Sequence, residues 1–273
     1  MMRPGVSERM MSAGESERAL ERELVSAGDF VRTNVKRVPI GVRSIDDMLG
    51  GGIEVGIITE IYGEGGAGKT NLALMLAKTT ITSKGICVYI DSEGLSPERL
   101  SQIFNDVDPH LLDNMIIAKA NTIEELHNRV IHSLKILKDA EGIKTLIIDS
   151  YGMIYRKEMG YQRSPQDILR KSYPLFNTIL KNAENLEIAV LITNQVYTDI
   201  ASDSSSNILS LGGKVLDHIA RTRIEIRRLE AYPGYRVAFL VKHRSRPESL
   251  KAYFKIVENG VESVYPEDLI EML

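Results

Sequence analysis

Four glycines, a lysine and a threonine stand at fixed spacing in one short segment, Gly63-Glu64-Gly65-Gly66-Ala67-Gly68-Lys69-Thr70. The segment fits G-x-x-x-x-G-K-[ST], the loop with which nucleotide-hydrolysing proteins bind phosphate groups. Glycines allow the backbone N–H groups to curve around an anion. Lys69 would reach the β- and γ-phosphates, and the Thr70 hydroxyl would bind Mg²⁺. The segment therefore predicts a site for a nucleoside triphosphate and Mg²⁺.

The residues on either side of this phosphate loop predict the elements that hold it. Residues 57–62 are rich in β-branched side chains and form a run short enough for a buried strand. Residues 71–78 are good helix formers. A helix that begins at the loop adds partial positive charge to the anion site. The alternative, a chance glycine cluster in a turn, would leave both neighbours unexplained.

Three polar residues come at the ends of predicted buried strands. Asp149 stands where a carboxylate would order the hydration shell of Mg²⁺, although it could also cap the next turn. Glu93 could orient the attacking water, or could be a solvated loop glutamate. Gln195 could hydrogen-bond the γ-phosphate and register its loss, or could be an ordinary polar loop residue.

Lys242 and Arg244 lie two residues apart at the end of a predicted strand, residues 235–242. The spacing presents two cations on one side of the chain. Such cations could neutralise charge on a transferring phosphoryl group, and arginine suits this through its fork of donors. An exposed basic turn is the open alternative, because Arg246 continues the basic segment.

The composition is that of an ordinary globular protein. Of the 273 residues, 43% are hydrophobic and 26% are charged, and the net charge is −3. This charge argues against wholesale coating of nucleic acid, so DNA binding would have to come from local basic patches. No apolar run approaches a membrane span, and no secretory signal is visible. The single Cys87 excludes an intramolecular disulfide and suits a reducing cytoplasm.

Strands alternate with helical patterns from the phosphate loop to about residue 193. This order predicts an α/β fold built from right-handed βαβ units, with a mostly parallel twisted sheet and helices on both faces. Residues 221–264 change to alternating strands and a hairpin turn at Asn259-Gly260, which predicts antiparallel C-terminal strands. We expect residues 1–37 to be an N-terminal extension, helical or disordered, before a core of residues 38–273.

Taken in order, the motifs resemble the RecA family of recombination ATPases, and within it a short archaeal branch. The resemblance covers about residues 38–264. Besides the phosphate loop it is carried by Gly50-Gly51-Gly52-Ile53, Tyr89-Ile90-Asp91-Ser92-Glu93-Gly94, Pro97-Glu98-Arg99-Leu100, Ile147-Ile148-Asp149-Ser150 and Ile192-Thr193-Asn194-Gln195-Val196. It implies a RecA-like ATPase core with ATP and Mg²⁺ as ligands and a role in DNA recombination and repair.

The resemblance also implies roles for individual residues. Glu93 matches the glutamate that activates water, and Arg99 matches an arginine near the adenine. Asn71 belongs to the nucleotide-binding set that follows the phosphate loop. Gln195 matches the glutamine that couples the γ-phosphate to a second DNA-binding loop, here residues 197–213. A first DNA-binding loop would follow Tyr155-Arg156 and run to about Ser164, with phosphate contacts from Arg156, Lys157 and Arg163.

Several features depart from the main recombinases of the family. Only some 37 residues precede the core, too few for their N-terminal helical DNA-binding domain. The second loop is rich in serine and has no aromatic residue between Ile200 and Val215, which weakens base stacking. Phe30 resembles their polymerisation motif, but Thr33 stands where alanine is expected, which favours a local hydrophobic contact for Phe30 instead. Lys242 and Arg244 resemble paired cations that reach a neighbour's ATP in related ATPases, which implies a homo-oligomer.

The resulting hypothesis is an ATP-binding and DNA-binding protein with weak ATPase activity. It would act in the cytoplasm as a mediator or regulator of a RadA-like recombinase, on single-stranded DNA. Three alternatives remain open at this point. The chain could be a DNA-stimulated recombinase that forms filaments, a KaiC-like signalling ATPase with protein partners, or a nucleotide-binding scaffold that never hydrolyses.

Overall fold

The computed structural model describes residues 26–32, 34–161, 163–198, 208–210, 213–230 and 232–270. The chain divides into two compact units, residues 1–35 and residues 36–273. The described part of the first unit contains the helix α1 (Ala27–Val31). The Phe30 side chain and Thr33 lie outside the described residues, so both interpretations of Phe30, a polymerisation motif and a local hydrophobic contact, stay predictions.

The second unit is an alternation of strands and helices. Its first part contains β1 (Arg37–Val38), α2 (Arg43–Leu49), β2 (Ile53–Glu54), β3 (Ile58–Gly63), α3 (Lys69–Thr82), β4 (Ile86–Asp91), α4 (Pro97–Ile103), α5 (Pro109–Leu112), β5 (Met115–Lys119), α6 (Ile123–Asp139) and β6 (Lys144–Asp149). Its second part contains α7 (Tyr151–Gly160), α8 (Pro165–Asn185), β7 (Ile188–Thr198), β8 (Ile208–Ser210), α9 (Gly213–Ile219), β9 (Thr222–Arg228), β10 (Tyr235–Lys242), β11 (Lys251–Val257), β12 (Gly260–Val264) and α10 (Pro266–Ile270).

Ten of the described strands form one sheet, with the order β12-β11-β10-β9-β3-β7-β6-β4-β5 and β8 beside β7. The pairs from β9 to β5 are parallel. The strands β10, β11 and β12 continue the sheet in antiparallel pairs. The prediction of an α/β fold with a mostly parallel sheet and antiparallel C-terminal strands is therefore confirmed.

Alternate residues of the buried strands face two separate cores. In β6, Ile147 packs in the core that contains much of α3, whereas Leu146 and Ile148 pack in the core of α6, α7 and α8. In β7, Leu191 and its neighbour Ile192 divide in the same way. This two-residue period is the geometry of a strand covered on both faces. It confirms that helices lie on both sides of the sheet.

Local capping explains where α6 begins. The Thr122 hydroxyl accepts a hydrogen bond from Glu125 N at 3.1 Å, as the capping-box pattern predicts. The Glu125 carboxylate reaches back one residue further than the pattern implies and accepts from Asn121 N at 2.8 Å. Within the described residues, no helix is long and apolar enough to cross a membrane.

Two elements differ from the sequence prediction. The strand expected to end at Thr193 continues to Thr198, because Asn194 and Gln195 pair with the last residues of β3 and the residues beyond them pair with β8. The loop expected after Tyr155 is helical as far as Gly160, since α7 is a ten-residue helix. Polar residues suggested that the strand ends at Thr193, and the resemblance to the family implied the loop after Tyr155. In the structure, strand pairing continues β7 and helical hydrogen bonding continues α7.

Candidate functional site

The parallel register brings the strand-end residues of the predicted site to one edge of the sheet. Gly63 at the end of β3 pairs with Gln195 in β7. Asp91 at the end of β4 pairs with Asp149 at the end of β6. The carboxyl ends of parallel strands are where open α/β sheets bind ligands. The phosphate loop follows β3 directly and therefore begins at this same edge.

The phosphate loop depends on backbone conformations that favour glycine. Gly66 has φ 70° and Gly68 has φ 105°, both in the left-handed region. A Cβ on Gly68 would also come within 3.0 Å of Ile256 in β11. These two glycines allow the chain to turn between β3 and α3. Within the loop, Ala67 is buried, whereas Glu64 and Gly65 are exposed.

Lys69 points back into its own loop. Its Nζ donates hydrogen bonds to the Gly63 carbonyl at 3.0 Å and to the Glu64 carbonyl at 2.7 Å. Burial lowers the pKa of Lys69, while the carboxylates of Glu93 and Asp149 oppose that shift. A partly desolvated ammonium group inside a loop that begins a helix is a donor set that fits the phosphates of a nucleotide.

Asp149 is a buried carboxylate with three hydroxyl donors. Tyr89 donates to it at 2.6 Å and Thr70 at 2.8 Å, both to Oδ2. The Thr193 hydroxyl donates to Oδ1. Burial raises the pKa of Asp149, and these hydroxyl bonds oppose the rise. The arrangement therefore places the predicted magnesium residues Thr70 and Asp149 side by side.

The contact between Thr70 and Asp149 fits a magnesium site that is completed by the nucleotide. Within the described residues, no group of three or more His, Cys, Asp and Glu side chains could hold a metal ion. Protein sites for Mg²⁺ often use one or two oxygen ligands together with waters and substrate phosphates. Sequence reasoning missed Tyr89 and Thr193, because a hydroxyl inside an apolar strand gives no separate signal.

Glu93 and Gln195 are in direct contact. Gln195 Nε2 donates to Glu93 Oε1 at 2.8 Å, and the Ser150 hydroxyl donates to the same oxygen. The turn that carries Glu93 is shaped by Asp91, whose carboxylate accepts from the backbone N–H groups of residues 93, 94 and 95. A residue that could orient water thus lies against one that could sense the γ-phosphate.

Arg99 connects the start of α3 to the turn between β11 and β12. Its Nε donates to Asn71 Oδ1 at 2.7 Å. Its terminal nitrogens donate to the carbonyls of Val257 at 2.9 Å, Glu258 at 2.5 Å and Gly260 at 3.3 Å. Burial lowers the pKa of this guanidinium group. The two residues assigned to the nucleotide site beyond the loop are therefore in contact with each other.

Lys242 and Arg244 lie far from this chain's own phosphate loop. Lys242 pairs with Arg223, whereas Gly63 at the loop lies level with Ile226. Three residues along a strand correspond to about 10 Å. Lys242 Nζ donates to the carbonyl of Asp217 at 2.7 Å, and Arg244 forms an ion pair with Glu54 at 3.3 Å. The fold therefore does not bring either cation to the nucleotide site of its own chain.

Two other arginines do approach the phosphate loop. Arg228 of β9 donates to the Gly65 carbonyl, and Arg236 of β10 donates to the Gly66 carbonyl at 3.4 Å. Arg228 also helps to lower the pKa of Lys69. Sequence reasoning missed this pair. Their contact with the loop depends on the pairing of β9 with β3 and with β10, which a single sequence does not specify.

The three predicted DNA contacts differ in accessibility. Arg156 is exposed on α7. Lys157 Nζ donates to the carbonyl of Ser92 and to Asn121, both at 2.9 Å. Arg163 forms an ion pair with a buried carboxylate, that of Glu158. Most of the predicted second DNA-binding loop, residues 197–213, lies outside the described residues.

Comparison with known proteins finds matches to one family of DNA repair and recombination proteins. The family model described as Rad51 matches residues 31–264. The chain is 36% identical over 225 residues to the DNA repair and recombination protein RadB of Archaeoglobus fulgidus, covering 82% of this chain and 97% of that protein. It is 37% identical over 229 residues to the RadB of Methanoculleus marisnigri, covering 84% and 98%.

A solved structure described as the RadB recombinase is also similar. It superposes with a TM-score of 0.67 at 32% identity, and the match covers 84% of this chain and all of that one. The resemblance to the RecA family and to its short archaeal branch, RadB, is confirmed by these matches.

Proposed function

Because this chain belongs to the Rad51 family, we propose that it binds ATP and DNA and assists homologous recombination and repair. Its role would be that of a mediator or regulator of a RadA-like recombinase, with weak ATPase activity. The proteins named DNA repair and recombination protein RadB, which it resembles over most of their length, support the general role.

One observation carries the proposal for the nucleotide site. The hydroxyl of Thr70 contacts Asp149, and the amide of Gln195 contacts Glu93, at the edge of the sheet where the phosphate loop begins. Each of these residues is distant from the loop in sequence, except Thr70. Their convergence supports a site that holds a nucleotide, a metal ion and a water molecule together.

Each residue of the proposed site would have its own role in binding or hydrolysing the nucleotide. Lys69 and the loop N–H groups would hold the β- and γ-phosphates, and Thr70 and Asp149 would hold Mg²⁺, which supplies charge neutralisation on the phosphate oxygens. Glu93 would orient water for in-line attack on the γ-phosphate. Gln195 would bond the γ-phosphate and lose that contact after hydrolysis. Arg99 would lie beside the adenine.

Oligomerisation would complete the site. Lys242 and Arg244 lie about 10 Å or more from the level of this chain's own loop, as the strand register indicates. We therefore propose that they reach the nucleotide of a neighbouring copy. Hydrolysis by an isolated chain would be weak, because charge on the transferring phosphoryl group would lack these two cations.

Nucleotide binding is the first test. We expect Lys69→Ala to weaken binding of a fluorescent ATP analogue at least about tenfold, since a loop cation contacting phosphate contributes roughly 1.5–3 kcal/mol. Lys78→Ala is the matched control, because Lys78 lies on the same helix but bonds the Ile103 carbonyl and Asp106 instead. Unchanged affinity and turnover in Lys69→Ala would refute the site assignment.

Turnover over a series of protein concentrations, with and without single-stranded DNA, separates the possible roles. Near-zero turnover with nucleotide bound supports a mediator for which ATP is a conformational ligand. Turnover per chain that rises with both variables would instead indicate a working recombinase. Binding to DNA phosphates is strongest at low salt, because it releases counterions. An absence of DNA binding at low salt would therefore favour a signalling ATPase with protein partners.

A further inference from the structure

A buried ion pair lies one layer below the candidate site. Glu60 in β3 is fully buried, and its Oε2 accepts from Arg223 Nε at 2.6 Å. Its other oxygen accepts from Asn194 Nδ2 at 2.9 Å. Apolar residues of similar size in place of a buried ion pair often stabilise a protein as well or better. The presence of this pair in a β3 core position therefore calls for a reason other than stability.

One side of the pair leads to the cation Lys242. The second guanidinium arm of Arg223 bonds Asp217 Oδ1 at 2.6 Å, and the guanidinium group lies over the Tyr62 ring at 4.7 Å. The backbone carbonyl of the same Asp217, in the last turn of α9, accepts from Lys242 Nζ at 2.7 Å. A movement of Lys242 would thus remove a partner from the residue that anchors Arg223.

The other side of the pair leads to the γ-phosphate side of the site. Asn194, held by Glu60, directly precedes Gln195, and its Oδ1 accepts from Gln195 N at 2.9 Å. Gln195 in turn bonds Glu93. The orientation of Asn194 therefore helps to fix the backbone of Gln195, from which the amide side chain extends. The contacts form a continuous series from Lys242 to Glu93 through described residues.

We propose that Glu60 and Arg223 are positioning residues that transmit the state of Lys242 to Gln195 and Glu93. When Lys242 leaves Asp217 to bind a neighbour's nucleotide, Arg223 and Glu60 readjust, and the affinity of this copy's own site changes. The inference rests on the proposed function, specifically on Lys242 acting across an interface. It makes assembly and nucleotide affinity thermodynamically linked.

The test compares nucleotide affinity in dilute and assembled protein, with a fluorescent ATP analogue as the probe and sedimentation to measure assembly. In the wild type we expect affinity to differ about fivefold or more between the two states, the lower range of allosteric coupling. The variant Glu60→Gln/Arg223→Met removes both charges together, so no buried charge is left unpaired. This variant should assemble like the wild type, but its nucleotide affinity should differ by less than about twofold between dilute and assembled protein.

Two further variants make the result specific. Arg227→Met removes another ion pair of β9, the one with Glu225 at 2.6 Å, and should keep the wild-type difference. Lys242→Met disturbs no buried charge, and it should also abolish the difference in nucleotide affinity between dilute and assembled protein. It therefore keeps the proposal testable if Glu60→Gln/Arg223→Met fails to fold. Combining it with Glu60→Gln/Arg223→Met should add nothing further, because all three residues act through one series of contacts.

Each outcome is decisive. If Glu60→Gln/Arg223→Met or Lys242→Met keeps the wild-type difference in nucleotide affinity between dilute and assembled protein, the inference is overturned. A wild-type affinity that is the same in dilute and assembled protein also overturns it, but leaves the proposed nucleotide site intact. Absence of nucleotide binding in the wild type refutes the proposed function itself.

Discussion

The absence of a side chain at Gly152 allows α7 to approach Gln195, the residue that we propose senses the γ-phosphate. Gly152 lies in the first turn of α7, and a Cβ there would meet Asn194 Oδ1 at 2.4 Å and Gln195 N at 2.9 Å. Real Cβ atoms do not occur at such distances from backbone, so either the helix or β7 would have to move. The position of Gln195 is therefore partly determined by a residue that carries no side chain.

This contact gives a residue-scale prediction. We expect Gly152→Ala to lower the free energy of unfolding by about 1–3 kcal/mol, the range for overpacking. Because the displaced atoms include the backbone of Gln195, turnover should fall more than nucleotide affinity. The control is Gly160→Ala in the same helix, where a Cβ would meet nothing within 4 Å. Urea unfolding and steady-state kinetics measure both effects, and equal behaviour of the two variants would contradict the account.

At the residue scale, the sequence indicated which residues lie close together where a side chain ends a strand. Thr70 and Asp149 were expected together because a motif and a strand end define their positions, and they are 2.8 Å apart. Tyr89 and Thr193 were not expected, since their hydroxyls reach Asp149 from inside apolar strands. The contact between Arg228 and the phosphate loop required the pairing of β9 with β3, which one sequence does not specify.

At the scale of elements, Arg99 joins parts of the chain that are distant in sequence. It holds three carbonyls of the β11–β12 turn and the Asn71 side chain at the first turn of α3. The resemblance implies that this arginine lies near the adenine, but it does not indicate the contact with the β11–β12 hairpin, which lies some 160 residues further along the chain. The hairpin is thus connected to the proposed nucleotide site.

Removal of this connection should have a local effect. We expect Arg99→Ala to lower the free energy of unfolding by about 1–2 kcal/mol, since its bonds are charge-assisted but partly exposed. Amide hydrogen exchange should accelerate more in β11 and β12 than in β6. The affinity for an ATP analogue should fall. Arg43→Ala is the control, because Arg43 is exposed and has only a 3.9 Å contact with Asp47. Uniform exchange changes across the sheet would contradict a local role.

Element boundaries were predictable where side chains alternate and less so where they do not. The strand Tyr235–Lys242 was expected with its observed ends, and Thr122 caps α6 as expected. The extension of β7 to Thr198 was not expected, because its last residues pair with β8, a strand of three residues that is too short for a recognisable strand pattern. Polar residues in a strand are explained only by the neighbour that pairs with them.

At the scale of the whole molecule, the sheet separates the phosphate loop from the cations that could assist it. The loop follows the carboxyl end of β3, whereas the antiparallel direction of β10 carries Lys242 to the opposite edge. Alternation of strands and helices was sufficient to predict the parallel sheet, but not the order of its strands. The strand order is the reason why we propose that the site is completed at an interface between copies.

Mixed assemblies provide a direct test of this division. Lys69→Ala should lack a working nucleotide site but keep its cations, whereas Lys242→Ala/Arg244→Ala should bind nucleotide but lack them. Each variant alone should show almost no turnover at any concentration. In an equal mixture, about a quarter of head-to-tail interfaces would join an intact site to intact cations, so turnover should recover to roughly a quarter of the wild-type value. If the two variants co-sediment in one assembly and turnover does not recover, the cations do not act on a neighbour's nucleotide, because random mixing must create complete interfaces whenever the complementary parts lie on different copies.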